Sequence, residues 1–160
     1  MNLQNLAASS SQHWAIHGEP PSDGGAEADA ASRIKLGASA KVLIVEDDFL
    51  IAMQSEEALA SAGFDVMGPA TTAEEAVSMA ARDRPALVVM DIRLAGKRDG
   101  IDAAGEIFRA LGIRCIFATA HDDAETRRRA APYAPYGWLS KPYTMTSLVK
   151  MVSDLLQKKT

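Results

Sequence analysis

Four apolar runs in this chain end in groups that can do chemistry. "KVLIVEDD" passes from Val42–Val45 into Glu46, Asp47 and Asp48, and "ALVVMD" passes from Leu87–Met90 into Asp91. "CIFATA" ends at Thr119-Ala120, and "WLSKPY" delivers Lys141. Carboxylates gathered in one cleft repel and raise each other's pKa unless a cation intervenes. A hard divalent ion meets that need, because Mg2+ takes one or two carboxylates and completes its shell with water and phosphate oxygens. A phosphoryl group in transfer needs its outer oxygens neutralised. A metal, the Lys141 ammonium and the Thr119 hydroxyl would do so from three sides. Singly, each residue has a plainer explanation: a solvated turn acid, a loop threonine, a surface lysine. The combination points to Mg2+-assisted phosphoryl chemistry, provided the four run-ends meet.

The flanking pattern predicts that they do. "KVLIVE" (41–46) is a β-branched run of strand length, and "FLIAMQSEEALASAG" follows with Leu50, Met53, Ala58 and Leu59 at helical spacing and Gly63 as a stop. "FDVMGPA" is a short second strand, and "TAEEAVSMAARDR" opens with a Thr72 cap and acidic residues in its first turn. "ALVVM" is strand three, "GIDAAGEIFRALG" helix three and "IRCIFATA" strand four. "DDAETRRRAA" makes a short helix before Pro132, "YGWLS" is strand five, and "TMTSLVKMVSDLLQKK" closes the chain. Strand then helix, five times over, predicts an α/β doubly wound parallel sheet covered on both faces. Runs such as "VLIV" and "LVVM" suit strands buried on both sides. The flavodoxin-like (βα)5 order, 2-1-3-4-5, has its switch point between strands one and three, where ligands of open sheets bind. Pro142 fits a tight Lys–Pro turn, cis included, that aims Lys141.

The rest of the chain sets bounds. It has 160 residues, 48% of them hydrophobic and 24% charged, with net charge −4. That suits one domain with a sizeable core and argues against general affinity for nucleic acid or anionic lipid. No apolar stretch approaches the roughly 20 residues of a membrane span, and "MNLQNLAASSSQHWAIHGEP" lacks the features of a secretory signal, so a cytoplasmic protein is expected. Residues 1–40, with "GEPPSDGGAEADAAS", read as a disordered N-terminal extension. Cys115 reads as a small core residue. "RRR" at 127–129 reads as a solvated face or a patch for an acidic partner.

Over residues 41–158 the sequence resembles the receiver domains of two-component response regulators. "VLIVEDDFLI", "LVVMDIRL" with "DG" following, "FATA" and "WLSKPY" carry the likeness. The resemblance implies that Asp91 accepts a phosphoryl group from a histidine kinase or histidine phosphotransfer protein. It implies Mg2+ held by Asp47, Asp91 and the backbone carbonyl of Arg93, with Glu46 acting through water. It implies Thr119 and Lys141 on the phosphoryl oxygens. It implies Trp138 at an aromatic switch position usually held by Tyr or Phe, swinging inward as Thr119 moves. Ala95 stands where the family commonly has proline, within a loop that looks one residue longer than usual. His121, two residues after Thr119, occupies a position that tunes hydrolysis in the family. Pro132 and Pro135 are expected to shorten helix four.

With only three residues after helix five, the expectation is a stand-alone receiver, monomeric or dimerising on phosphorylation. It would signal through a protein partner or serve as a phosphate sink, catalysing nothing beyond its own phosphotransfer and dephosphorylation. The motif style is similar to single-domain regulators of alphaproteobacteria, some linked to stress or light signalling. Two alternatives use the same residues. One is a receiver-like binding module that is never phosphorylated, which the intact set of Asp47, Asp91, Thr119 and Lys141 disfavours. The other is a Mg2+-dependent phosphohydrolase with an aspartyl nucleophile. Such enzymes carry a second Asp two residues on, where this chain has Arg93. A nucleotide-binding loop is disfavoured because "VEDDFL" follows strand one where a glycine-rich or hydroxyl-rich turn would be needed.

Overall fold

The computed structural model describes residues 39–157; the expectation of disorder falls, through residue 38, outside them. The elements are β1 (Lys41–Val45), α1 (Phe49–Ser61), β2 (Asp65–Ala70), α2 (Ala73–Asp83), β3 (Leu87–Met90), α3 (Gly100–Leu111), β4 (Cys115–Thr119), α4 (Ala124–Ala130), a 3-10 turn (Ala131–Tyr133), β5 (Gly137–Ser140) and α5 (Met145–Gln157). The strands form one sheet in the order β2-β1-β3-β4-β5, with every pairing parallel. The fold is the flavodoxin-like (βα)5 sheet that the sequence predicts.

Alternation along the strands builds two cores. Leu43, Val45, Val88, Met90 and Phe117 face a layer formed with Ala76 and Ala80 of α2, Ile101, Ala104 and Ile107 of α3 and Ala130 of α4. Val42, Ile44, Leu87, Val89, Ile116 and Ala118 face Leu59 of α1 and Leu148 and Val152 of α5. Full burial of such a side chain stabilises by about 1.5–3 kcal/mol, so β1, β3 and β4 are the rigid centre from which the site residues emerge. Cys115 lies in the first of these cores, and burial pushes its thiol up to about 12. The folded protein is expected to resist a thiol reagent at neutral pH and to react once unfolded. Rapid labelling before unfolding would show that β4 opens in the native state.

One expectation needs correcting. Leu50 and Met53, which helical spacing places in the core, are 62% and 46% exposed, and Phe49 is 72% exposed. The buried face of α1 is Ala52, Ser55 and Leu59. Its first two positions are small, which lets the helix lie close to its neighbours. Ser55 Oγ sits 3.9 Å from Met145 Sδ at the start of α5. Apolarity alone therefore marks the wrong stripe.

Helix ends follow local chemistry. Thr72 caps α2, its hydroxyl accepting from the Glu75 N–H at 3.1 Å. Asp99 and Asp102 exchange bonds at the start of α3: Asp99 Oδ1 accepts from Asp102 N at 2.9 Å, and Asp102 Oδ2 accepts from Asp99 N at 3.1 Å. Pro132 lies in the 3-10 turn that ends α4 after only seven residues, as its missing N–H requires. The three arginines of α4 face carboxylates rather than forming a free basic patch: Arg127 pairs with Asp122, Arg128 with Glu125 at 4.0 Å and Arg129 with Asp99 at 2.8 Å.

Candidate functional site

All four chemistry-bearing run-ends reach the same edge of the sheet. Val45 is in register with Met90, so Glu46 and Asp91 leave β1 and β3 side by side. Asp91 N donates to Val45 O at 2.9 Å, and Glu46 N donates to Ala70 O at 2.9 Å. Thr119 is in register with Ser140, and Lys141 N donates to Thr119 O at 2.9 Å. The Lys141–Pro142 peptide is cis. Backbone pairing thus fixes where each side chain begins.

The side chains then converge. Lys141 Nζ lies 2.6 Å from Glu46 Oε2 and 2.7 Å from Asp91 Oδ2, bridging strands one and three from strand five. Glu46 Oε1 accepts the Asp48 N–H at 3.0 Å. Glu46 and Asp91 are buried, at 5% and 7% exposure, whereas Asp47 is exposed. Burial raises the Glu46 carboxyl above its usual range, against the lowering effect of its bonds to Lys141 and the Asp48 N–H. Burial opposes charge on Lys141 as well, but hydrogen bonds to Asp91 and Glu46 outweigh it and hold the ammonium above the ordinary lysine value.

One oxygen each from Glu46, Asp47 and Asp91 lie within 4.8 Å of one another. Lys141 pairs with two of these three carboxylates, Glu46 and Asp91, so one ammonium stands against three acidic groups. The donors are all hard oxygens at a spacing one small divalent cation can span, so the residues present fit Mg2+. Arg93 follows in the loop after Asp91, its side chain exposed. Thr119 is buried beside the cluster, but its hydroxyl accepts the His121 N–H at 3.1 Å rather than bonding Asp91 or Lys141. Trp138 lies on β5, stacked on Phe117 with ring centroids 4.7 Å apart.

Two features of the loop after Asp91 escape a reading of motifs. Gly100 N donates to Ile92 O at 2.8 Å, and a β-carbon on Gly100 would lie 1.9 Å from Asp91 O. The glycine of "DG" is therefore what allows α3 to start against the backbone of Asp91. Ala95 N donates to Thr71 O at 3.1 Å, bridging this loop to the segment after β2. Proline at 95 has no N–H to give, so the departure from the family pattern adds a tether.

Comparisons with known proteins agree with this fold. Residues 42–153 match the response regulator receiver domain. The chain belongs to that family. It is 35% identical over 112 residues to the transcriptional regulatory protein PdtaR of Mycobacterium tuberculosis, covering 70% of this chain and 54% of PdtaR. It thus spans about half the length of that relative. It is 33% identical over 118 residues to the chemotaxis protein CheY of Halobacterium salinarum, covering 72% of this chain and 96% of CheY. Among solved structures, the signal receiver domain of a modulated diguanylate cyclase from Desulfovibrio desulfuricans superposes with a TM-score of 0.69 at 36% identity. That match covers 76% of this receiver chain and 97% of the other. Among the described residues, no helix of this receiver is long and apolar enough to cross a membrane.

Proposed function

We propose that this receiver accepts a phosphoryl group on Asp91 from a protein phosphohistidine and passes the signal on through protein contacts. The observation that carries the reading is the Lys141 bridge between Asp91 and Glu46 within a cluster of three carboxylates. It supports the reading because Asp91, a fixed ammonium and two further carboxylates share one rim, where they would serve as nucleophile, cation and metal donors. Lys141 engages Asp91 through Oδ2, so attack by Oδ1 leaves the ion pair in place. A new O–P bond forms at Asp91 while the P–N bond to the donor imidazole breaks, its electron pair returning to the ring nitrogen. Asp47 and Asp91, with Glu46 through water and the Arg93 carbonyl, would hold Mg2+, which when bound neutralises charge on the phosphoryl oxygens. Lys141 supplies a second positive charge, and the Thr119 hydroxyl proton supplies a hydrogen bond once it turns toward Asp91. Water later cleaves the acyl phosphate.

The exposed Phe49, Leu50 and Met53 support a protein donor. They begin one residue after Asp48 and give the rim beside the acidic cluster an apolar shoulder. Arg93, two residues after Asp91, leaves no second acid for turnover of external esters. A role in the cytoplasm as messenger or phosphate sink is part of this proposal, as is a monomer that can dimerise when phosphorylated.

A direct test is incubation with a small phosphoramidate donor, with Mg2+ or with a chelator, followed by intact-mass measurement and peptide mapping. One phosphoryl group on Asp91 that requires Mg2+ is the expected result. No mass gain, or a gain mapped elsewhere, would overturn the reading in favour of a binding module that is never phosphorylated.

A further inference from the structure

A second polar assembly lies beside Thr119, on the same face of the sheet. Asp122, in the loop that follows Thr119, accepts from Arg127 Nη2 at 2.8 Å, from Arg127 Nε and from Ser140 Oγ at 2.9 Å. The Arg127 guanidinium covers the Trp138 ring, 4.9 Å from its centroid. Trp138 in turn stacks on Phe117. Phe117 pairs in register with Trp138, and Thr119 with Ser140, so these four residues form two adjacent cross-strand pairs on one face.

We propose that Asp122 and Arg127 are positioning residues for Thr119: together they clamp the loop after β4 onto β5 and keep Thr119 turned to the backbone. The inference rests on Asp91 as phosphoacceptor and concerns how that site is held before it reacts. The link is short. Thr119 Oγ1 accepts from His121 N, and His121 is followed at once by Asp122. Drawing Thr119 toward a phosphoryl group on Asp91 pulls residues 120–122 with it. Asp122 is anchored both to α4 and to β5, so it resists that movement. Arg127 cannot follow a moving Asp122 and stay over Trp138. Phosphorylation therefore works against the clamp, and opening the clamp uncovers Trp138. An ion pair and a cation–π contact are each modest at a partly exposed site. They act here on a two-state balance, where a modest bias is read directly as a change in affinity.

The test uses the full chain with Trp14→Phe, so that Trp138 is the remaining tryptophan. Beryllofluoride with Mg2+, a stand-in for the phosphoryl group, is titrated by calorimetry while Trp138 emission is followed. Arg127→Ala and Asp122→Ala are each expected to bind about three- to tenfold more tightly than the parent, the gain set by the bias removed. The double variant gains no more than either alone, because the two residues act as one unit. Arg127→Lys falls between, keeping charge but losing the planar fork. Asp122→Ala does not touch Trp138, yet it shifts the emission of the unliganded protein toward that of the bound parent. A merely structural role would lower thermal stability without tightening binding. Parent-like or weaker binding by both alanine variants overturns the clamp alone. A parent that neither binds beryllofluoride nor takes up a phosphoryl group overturns the reading of Asp91 and the clamp with it.

Discussion

Asp91→Asn is expected to reduce phosphoryl incorporation to background while leaving the fold intact. The amide removes the anionic oxygen that attacks phosphorus. Two other carboxylates lie close enough to raise the question of substitution. Glu46 is committed through both oxygens, to Lys141 and to the Asp48 N–H. Asp47 is exposed, and no lysine bond fixes it against the pocket. Neither offers the combination found at Asp91: burial, a fixed cation on one oxygen and a second oxygen for attack. The asparagine keeps an oxygen for Lys141 and lessens repulsion among the acids. Its unfolding free energy is expected within about 1 kcal/mol of the parent. Intact mass after phosphoramidate treatment, with urea unfolding in parallel, checks both halves. Labelling retained in the variant would move the acceptor away from Asp91.

Gly100→Ala is expected to be the most damaging small substitution in the domain. The added methyl would lie 1.9 Å from Asp91 O, 2.9 Å from its carbonyl carbon and 3.0 Å from Ile92 Cα, all backbone atoms. No side chain can rotate away, so α3 or Asp91 must shift. Overpacking of this kind costs about 3 kcal/mol, and here the strain falls on Asp91, the proposed acceptor. Gly112→Ala is the matched control: it ends the same helix at φ +67°, with nothing within 4 Å of an added methyl. It carries only the left-handed backbone penalty of about 1–2 kcal/mol. Urea midpoints and phosphorylation rates for the pair separate the two effects. Gly100→Ala is expected to lose both, and Gly112→Ala stability alone.

Most of the scaffold was legible because its signals are local. Runs such as "VLIV" and "LVVM" declare strands buried on both faces, and their polar ends declare at which rim the carboxylates gather. The α1 helix was less legible. Phe49, Leu50 and Met53 carry the hydrophobicity, but Ala52 and Ser55 are buried because small residues permit close approach, which apolar spacing does not register. The Asp99–Asp102 exchange was missed because the usual pattern pairs Ser or Thr with Glu or Gln. Within the candidate site, the residue types named groups that the structure brings together, but not their mutual contacts. Lys141 was expected to serve phosphoryl oxygens; that it also bonds Glu46 depends on the spacing of three strand ends. Arg127 meets both Asp122 and Trp138, and Ser140 bonds the same Asp122, for the same reason, and no motif spans them.

The position of Lys141 separates what keeps this domain folded from what makes it react. Its ammonium is an internal counterion for the two buried acids, supplied by the chain itself at a fixed ratio of one per molecule. Structural integrity is thereby insulated from fluctuations in dissolved cations, while under the proposed function the chemistry at Asp91 would stay under their control. On that reading, a cell would be able to starve the switch of metal and recover it unharmed.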